Sequence, residues 1–159
     1  KRIEHQAYTD FLTGLYNRMC CERDLARKID EAKKTNERGA LLYLDLDDFK
    51  HINDGLGHQY GDVLLKAISH SLQRIEGIQN TCYRMGGDEF AIVVDPLFEN
   101  IAVDIKNQIQ TELQKHSKEE KFEISMSIGI ATYKKDMSLN NFLEEADKNL
   151  YQEKHTFAK

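Results

Sequence analysis

Apolar residues along the chain alternate between two periods, and each change of period predicts a new element. Between Asn17 and Glu37, Cys21, Leu25 and Ile29 recur four apart on a charged background, which predicts an amphipathic helix ending at a glycine cap, Gly39. Ala40 to Leu46 is almost continuously apolar and then breaks into Asp45-Leu46-Asp47-Asp48, the pattern of a central strand with acids at its far end. Val63, Leu64, Ala67, Ile68, Ser71, Leu72 and Ile75 return to helical spacing, so a second helix is expected from about Gln59 to Glu76, stopping at Gly77. Thr81 to Met85 and Phe90 to Val94 read as strands around Gly86-Gly87-Asp88-Glu89; a glycine pair between apolar runs predicts a hairpin with a primed turn of positive φ.

Beyond Pro96, the stripe Leu97, Ile101, Ile105, Ile109 and Leu113 predicts a third helix ahead of the charged stretch Lys115 to Lys121. Phe122 to Thr132 reads as a strand. Ser138, followed by Phe142, Leu143, Ala146, Leu150 and Tyr151, opens a capped last helix. This order favours an antiparallel sheet with helices packed on it, the α+β class, over a doubly wound parallel sheet. The hairpin is expected mid-sheet, beside the strand that ends at Asp45.

Composition narrows the function classes. At 159 residues and 40% hydrophobic content the chain suits one domain with one core. Charged residues make up 31% with mixed sign and a net charge of -5, so no basic face for duplex nucleic acid is expected, and a polymerase-like enzyme lacks its groove. The longest apolar runs, such as Leu41 to Leu44 and Ala91 to Val94, are too short to cross a bilayer, and the expected setting is cytoplasmic, without membrane contact. Cys20, Cys21 and Cys82 have neither disulfide nor zinc-site spacing and read as buried free thiols.

The candidate chemistry lies in the acids. Asp45 and Asp47 are two apart on a strand and so share a face, while Asp88 and Glu89 leave a tight turn. If the two strands are neighbours, these carboxylates converge, and a hard divalent metal shared with phosphate oxygens is the economical way to relieve their repulsion. Gly86 and Gly87, without Cβ atoms, would let a flat base or a phosphate approach the backbone. The plain alternative is solvated acids beside an ordinary turn.

Four blocks decide between these alternatives. Asp10-Phe11-Leu12-Thr13-Gly14-Leu15-Tyr16-Asn17-Arg18, the run Asp45 to Asp54 with Gly57-His58 and Gly61-Asp62, Gly86-Gly87-Asp88-Glu89-Phe90, and Ala146-Asp147 through Leu150-Tyr151 to Lys154 together resemble, in order, the GGDEF domain family of diguanylate cyclases. The resemblance spans nearly the whole chain, so residues 1–159 are expected to be a single GGDEF domain cut from a longer multidomain protein.

The resemblance implies a five-stranded antiparallel-type sheet within helices, like the palm of nucleotidyl cyclases and polymerases with a ferredoxin-like core. It implies that two GTP become one c-di-GMP and two pyrophosphates, with Mg²⁺ or Mn²⁺ held by Asp45, the Leu46 carbonyl, Asp88 and the neighbouring Glu89. Asp88 matches the acceptor of the ribose 3′-hydroxyl proton, with Glu89 beside it as the other catalytic acid. Asn53 and Asp62 match the guanine readers, since a carboxylate accepts from both N1–H and the 2-amino group and adenine offers neither. A helix cap is the alternative for Asp62. Lys50 and Lys154 match triphosphate contacts, and His58 a residue near the substrate; each lysine alone would read as a solvated surface residue, and His58 as structural.

Two departures stand out. The family's closing Gly-Arg pair is replaced by His155-Thr156-Phe157-Ala158-Lys159, so a phosphate contact is missing or moved and weaker triphosphate binding is expected. Gly77-Ile78-Gln79-Asn80 stands where many members carry an R-x-x-D product-inhibition site, so tight feedback by c-di-GMP is not expected. Because each domain holds one GTP, the implied partner is a second GGDEF domain in a homodimer, with a sensory or EAL phosphodiesterase segment flanking it. A GTP-binding regulatory module, catalytically weak or silent and controlling an attached EAL domain, is the alternative function.

Overall fold

Strand β2, Gly39–Leu46, is buried along its whole length except at Asp45, as its unbroken apolar run requires of a strand flanked on both sides and covered on both faces. A computed structural model of the protein describes residues 7–75, 81–94, 101–120, 123–133 and 137–157. Around β2 lie β1 (Tyr16–Asn17), β3 (Cys82–Gly86), β4 (Glu89–Val94) and β5 (Met126–Tyr133), in the order β1-β3-β4-β2-β5. Every pairing is antiparallel except the edge pair β1–β3, which runs parallel.

Among the described residues, five helices of eight or more residues cover the sheet: α1 (Arg18–Thr35), α2 (Phe49–Leu56), α3 (His58–Gln73), α4 (Ile101–Glu120) and α5 (Leu139–Phe157). Alternation along the strands divides the apolar side chains between two cores. Leu42, Leu44, Phe90 and Ile128 meet α3 and α4 on one face. Leu41, Tyr43, Val93 and Tyr133 meet α1 and α5 on the other. Cys20, Cys21 and Cys82 are free and buried, as expected from their spacing.

The expected elements form with shifted ends. Helix α1 stops at Asn36, which takes the left-handed φ of 60° and returns its N–H to Ala32, so Gly39 is not the cap. Gly39 instead begins β2, where a Cβ would lie 2.0 Å from the Tyr133 hydroxyl. Helix α4 continues through most of the charged stretch to Glu120 rather than ending before it. The proposed stop at Gly77, Leu97 and the start of the last strand at Phe122 lie outside the described residues. Ser138 caps α5 as expected, its Oγ accepting from the Asn141 N–H at 3.1 Å.

Helix α2 was not expected at all. It has no side-chain cap, starts after Asp48 at φ 56° and ends at Gly57 at φ 91°, so two left-handed residues bracket a helix too short to show two turns of periodicity. Among the described residues, no helix is long and apolar enough to cross a membrane.

Candidate active site

The ends of β2, β4 and β5 and the last turns of α5 meet at one edge of the molecule. Register places Asp45 opposite Glu89 on β4 and opposite Ser127 on β5, so the hairpin does sit beside the acid-bearing strand. The Leu46 N–H donates to the Asp88 carbonyl at 3.1 Å, which ties the turn to the end of β2.

Asp45 is a half-buried carboxylate with unequal oxygens. Its Oδ2 receives Lys154 Nζ at 2.9 Å, whereas Oδ1 is buried with no hydrogen-bond partner. Burial pushes its carboxyl up to about 7; Lys154 opposes the rise and the adjacent Asp88 adds to it. Burial disfavours the charge on Lys154, but Asp45, Asp47 and Asp88 outweigh it and raise its ammonium above the ordinary lysine range.

Asp47 lies at the same edge but is differently employed. Its two carboxylate oxygens accept from Ser125 Oγ and Ser127 Oγ at 2.7 Å each, so it fastens β5 rather than facing Asp88 as a free ligand. Glu89 turns toward β3: its Oε1 is 3.6 Å from where a Gly86 Cβ would stand, and its carboxylate lies against the Tyr43 hydroxyl. No group of three His, Cys, Asp or Glu side chains is gathered for a metal among the described residues. The oxygen donors to hand are therefore Asp45, Asp88 and nearby backbone carbonyls. An orphaned buried carboxylate oxygen beside a second carboxylate fits a hard divalent cation completed by substrate oxygens.

Away from the acids, Asn53 on α2 packs against Gly61 on α3 so closely that a Cβ at Gly61 would lie 1.9 Å from Asn53 Oδ1. That oxygen is buried and unpartnered, an acceptor held ready for an N–H. Asp62 follows Gly61 and is exposed; α3 has no side-chain cap, so the capping alternative for Asp62 does not hold. His58 and Lys50 are exposed on the first turns of α3 and α2. A cavity of about 1290 Å³ is lined by Asp47, His51, Ile52, Lys118, Lys154 and His155, touching the phosphate candidate Lys154 but neither Asn53 nor Asp62. Phe90 is fully buried and Phe49 packs against the core, as expected for both.

The hairpin differs from expectation. Gly86 pairs with Glu89 across a Gly87-Asp88 turn, a bulge falls between Arg84 and Gly86, and neither glycine takes a left-handed φ. Primed-turn geometry is thus absent, and the glycines are better explained by space: a Cβ at Gly87 would meet nothing within 4 Å. Two arginines hold the turn instead, and the sequence pattern did not single them out for this role. Arg84 donates to both oxygens of Asp10 at 3.2 and 3.1 Å and to the Gly87 carbonyl at 2.8 Å, while Arg18 donates to the Met85 carbonyl at 3.1 Å. Arg18 and Asp10 stand in the opening block, but only the parallel β1–β3 pairing brings that block to the hairpin.

The family profile described as "Diguanylate cyclase, GGDEF domain" matches residues 7–159. The chain belongs to the GGDEF family. It is similar to diguanylate cyclase DgcS of Shewanella oneidensis, 33% identical over 154 residues, covering 97% of this chain and 52% of the relative. It is also similar to the bifunctional diguanylate cyclase/cyclic di-GMP phosphodiesterase MucR of Pseudomonas aeruginosa, 33% identical over 151 residues, covering 93% of this chain and 22% of MucR. The chain thus spans about half, or less, of the length of these relatives.

Among solved structures, the coiled coil and GGDEF domain of DgcB from Caulobacter crescentus in complex with c-di-GMP superposes with a TM-score of 0.86 at 28% identity, covering 98% of this GGDEF chain and 84% of that one. The GGDEF domain of PA1120 (TpbB or YfiN) from Pseudomonas aeruginosa gives 0.80 at 35% identity, with coverage of 93% and 89%. The five-stranded sheet within helices is therefore the palm-like GGDEF fold.

Proposed function

We propose that this GGDEF chain condenses two GTP into c-di-GMP and two pyrophosphates, acting as a dimer of facing domains. The observation that carries this reading is the pairing of Asp45 and Asp88 at the hairpin, with Asp45 Oδ1 buried and unpartnered. Carboxylates so placed would hold Mg²⁺ or Mn²⁺ together with the Leu46 carbonyl, and Glu89 is the next acid in reach. Bound there, a divalent cation supplies positive charge to the α-phosphate and to the leaving pyrophosphate.

The protein's own groups do the rest. Asn53 and Asp62 take the guanine edge; adenine would leave the Asp62 carboxylate unmatched and is rejected. Lys154, with Lys50 and His58 nearer the solvent, balances the phosphate charge, and Lys154 exchanges its Asp45 contact for phosphate when GTP enters. Gly86 and Gly87 leave the turn's outer surface open to the ligand. The 3′-oxygen of one GTP attacks the α-phosphorus of the other across the dimer, Asp88 accepts the 3′-hydroxyl proton, and the bond to the β-phosphate breaks to release pyrophosphate. A second such step closes the ring.

The test is product analysis of concentrated protein with Mg²⁺ and GTP. Formation of c-di-GMP with pyrophosphate release, lost in Asp88→Ala, is the expected result. GTP binding without turnover, even when the domain is dimerised artificially, overturns the proposal in favour of a regulatory GTP-binding module.

A further inference from the structure

The turn that carries Asp88 lacks the usual means of fixing its own shape. Its glycines do not occupy the left-handed region that locks a primed hairpin, and the bulge sets Met85 against the ladder as an extra residue with no register partner on β4. The Met85 carbonyl is nevertheless satisfied, by Arg18 Nε at 3.1 Å. The same guanidinium reaches on through NH2 to the Tyr43 hydroxyl at 3.0 Å. Tyr43 is buried on a strand segment otherwise built of leucines, and its hydroxyl lies against Glu89, its diagonal neighbour on the same face.

We propose that Arg18 and Tyr43 form a clamp that fixes the pose of the hairpin Met85 to Glu89, holding it at the bulge through the Met85 carbonyl and beyond the turn through Glu89. Both are positioning residues: neither touches the reacting atoms. The planar guanidinium suits the task because Nε and NH2 point to two acceptors in a fixed relation, which a lysine ammonium cannot reproduce. Met85 packs beneath in the core shared with Tyr43, so the clamp closes on a rigid floor. The consequence for catalysis rests on the reading above, because an acid that must receive a proton across a dimer loses rate steeply with small misplacement.

The experiment compares the unsubstituted chain with Arg18→Met, Arg18→Lys and Tyr43→Phe, in amide hydrogen exchange over residues 85–89 and in GTP binding and turnover. Exchange in the hairpin is expected to rise about tenfold in all three, and kcat to fall by about tenfold or more, with GTP affinity unchanged to within about twofold. The double variant Arg18→Met/Tyr43→Phe should be little worse than either single one, because both cut the same chain of contacts. Arg18→Lys, which keeps the charge, should fail to rescue. Hairpin exchange or kcat equal to that of the unsubstituted protein in Arg18→Met and Tyr43→Phe overturns the inference. If the unsubstituted protein makes no c-di-GMP, the functional reading falls by itself, and the exchange rates still decide whether the clamp exists.

Discussion

Replacing Asp45 with asparagine should stabilise this fold when divalent cations are removed, and the gain should depend on pH. In the folded chain burial, with Asp88 beside it and Lys154 opposing, moves the Asp45 carboxyl from 3.8 to about 7. Between those values the folded state keeps a proton that the unfolded chain has released, so its stability falls as the pH rises through the window and stays low above it. A rise of about three pH units corresponds to at most ~4 kcal/mol. Lys154 loses its ion pair in the variant; with its side chain 33% exposed and Asp47 and Asp88 close by, that loss is about 1 kcal/mol. The expected net gain near pH 8 in EDTA is thus about 2 kcal/mol, or a Tm higher by roughly 4–8 °C for a domain of this size. Near pH 5, where the folded Asp45 is protonated but the unfolded one is already ionised, only about a third of the full pH-dependent term should remain, and the two proteins should melt together only as the pH approaches 3.8. Excess Mn²⁺ near pH 8 should raise the Tm of the unsubstituted protein and leave Asp45→Asn unmoved. Thermal melts across pH, with and without Mn²⁺, measure all of this. A variant that melts below the unsubstituted protein at pH 8, or a difference that persists unchanged at pH 5, refutes the argument.

Other substitutions probe neighbouring parts of the site. Gly61→Ala places a Cβ 1.9 Å from Asn53 Oδ1 and 3.2 Å from the Phe49 ring, so Asn53 must turn away; calorimetry should find GTP affinity down by about tenfold with a stability loss of only about 1–2 kcal/mol. Unchanged GTP affinity would remove Asn53 from the guanine site. Arg84→Met strands Asp10, whose carboxyl is held below the ordinary range despite burial by Thr13 and Arg84; urea melts should find about 2 kcal/mol lost near neutral pH. Because Asp10 is lowered rather than raised, its contribution is present above 3.8, and the gap between the two proteins should close as the pH falls below that value. Gly129→Ala drives a Cβ to 2.3 Å from the Leu150 backbone nitrogen, where nothing flexible can yield, and should cost about 3 kcal/mol or leave the protein insoluble, as read from its soluble yield and urea midpoint.

Much of this architecture is legible in the chain because its strongest elements are long and periodic. The unbroken run at Ala40 to Leu46 marks the central strand, and the acids at its end mark the site, since a fully covered strand has few other uses for carboxylates. Helix α2 escaped because its eight residues carry one apolar stripe of Phe49, Ile52 and Leu56 and end on conformations that are invisible in composition. The turn was misread for a related reason: Gly-Gly signals a primed hairpin on average, whereas here the distant Arg18, and Arg84 held in place by the distant Asp10, supply the constraint that left-handed glycines would have given. Likewise nothing local distinguishes Asp47 from Asp45. Their different employment is decided by Ser125 and Ser127 on β5 and by Lys154 on α5.

The contact between Asp45 and Lys154 joins the second strand of the sheet to the last helix, and β2 finds its two neighbours, β4 and β5, only after most of the chain has been made. During synthesis, then, the first acid of the site waits unpaired until the closing helix emerges, and non-local pairing of this kind is slow to form. A fragment that stops short of α5 lacks Lys154 and cannot complete the contact with Asp45, so this edge of the sheet should order abruptly once α5 is added rather than gradually as the chain grows.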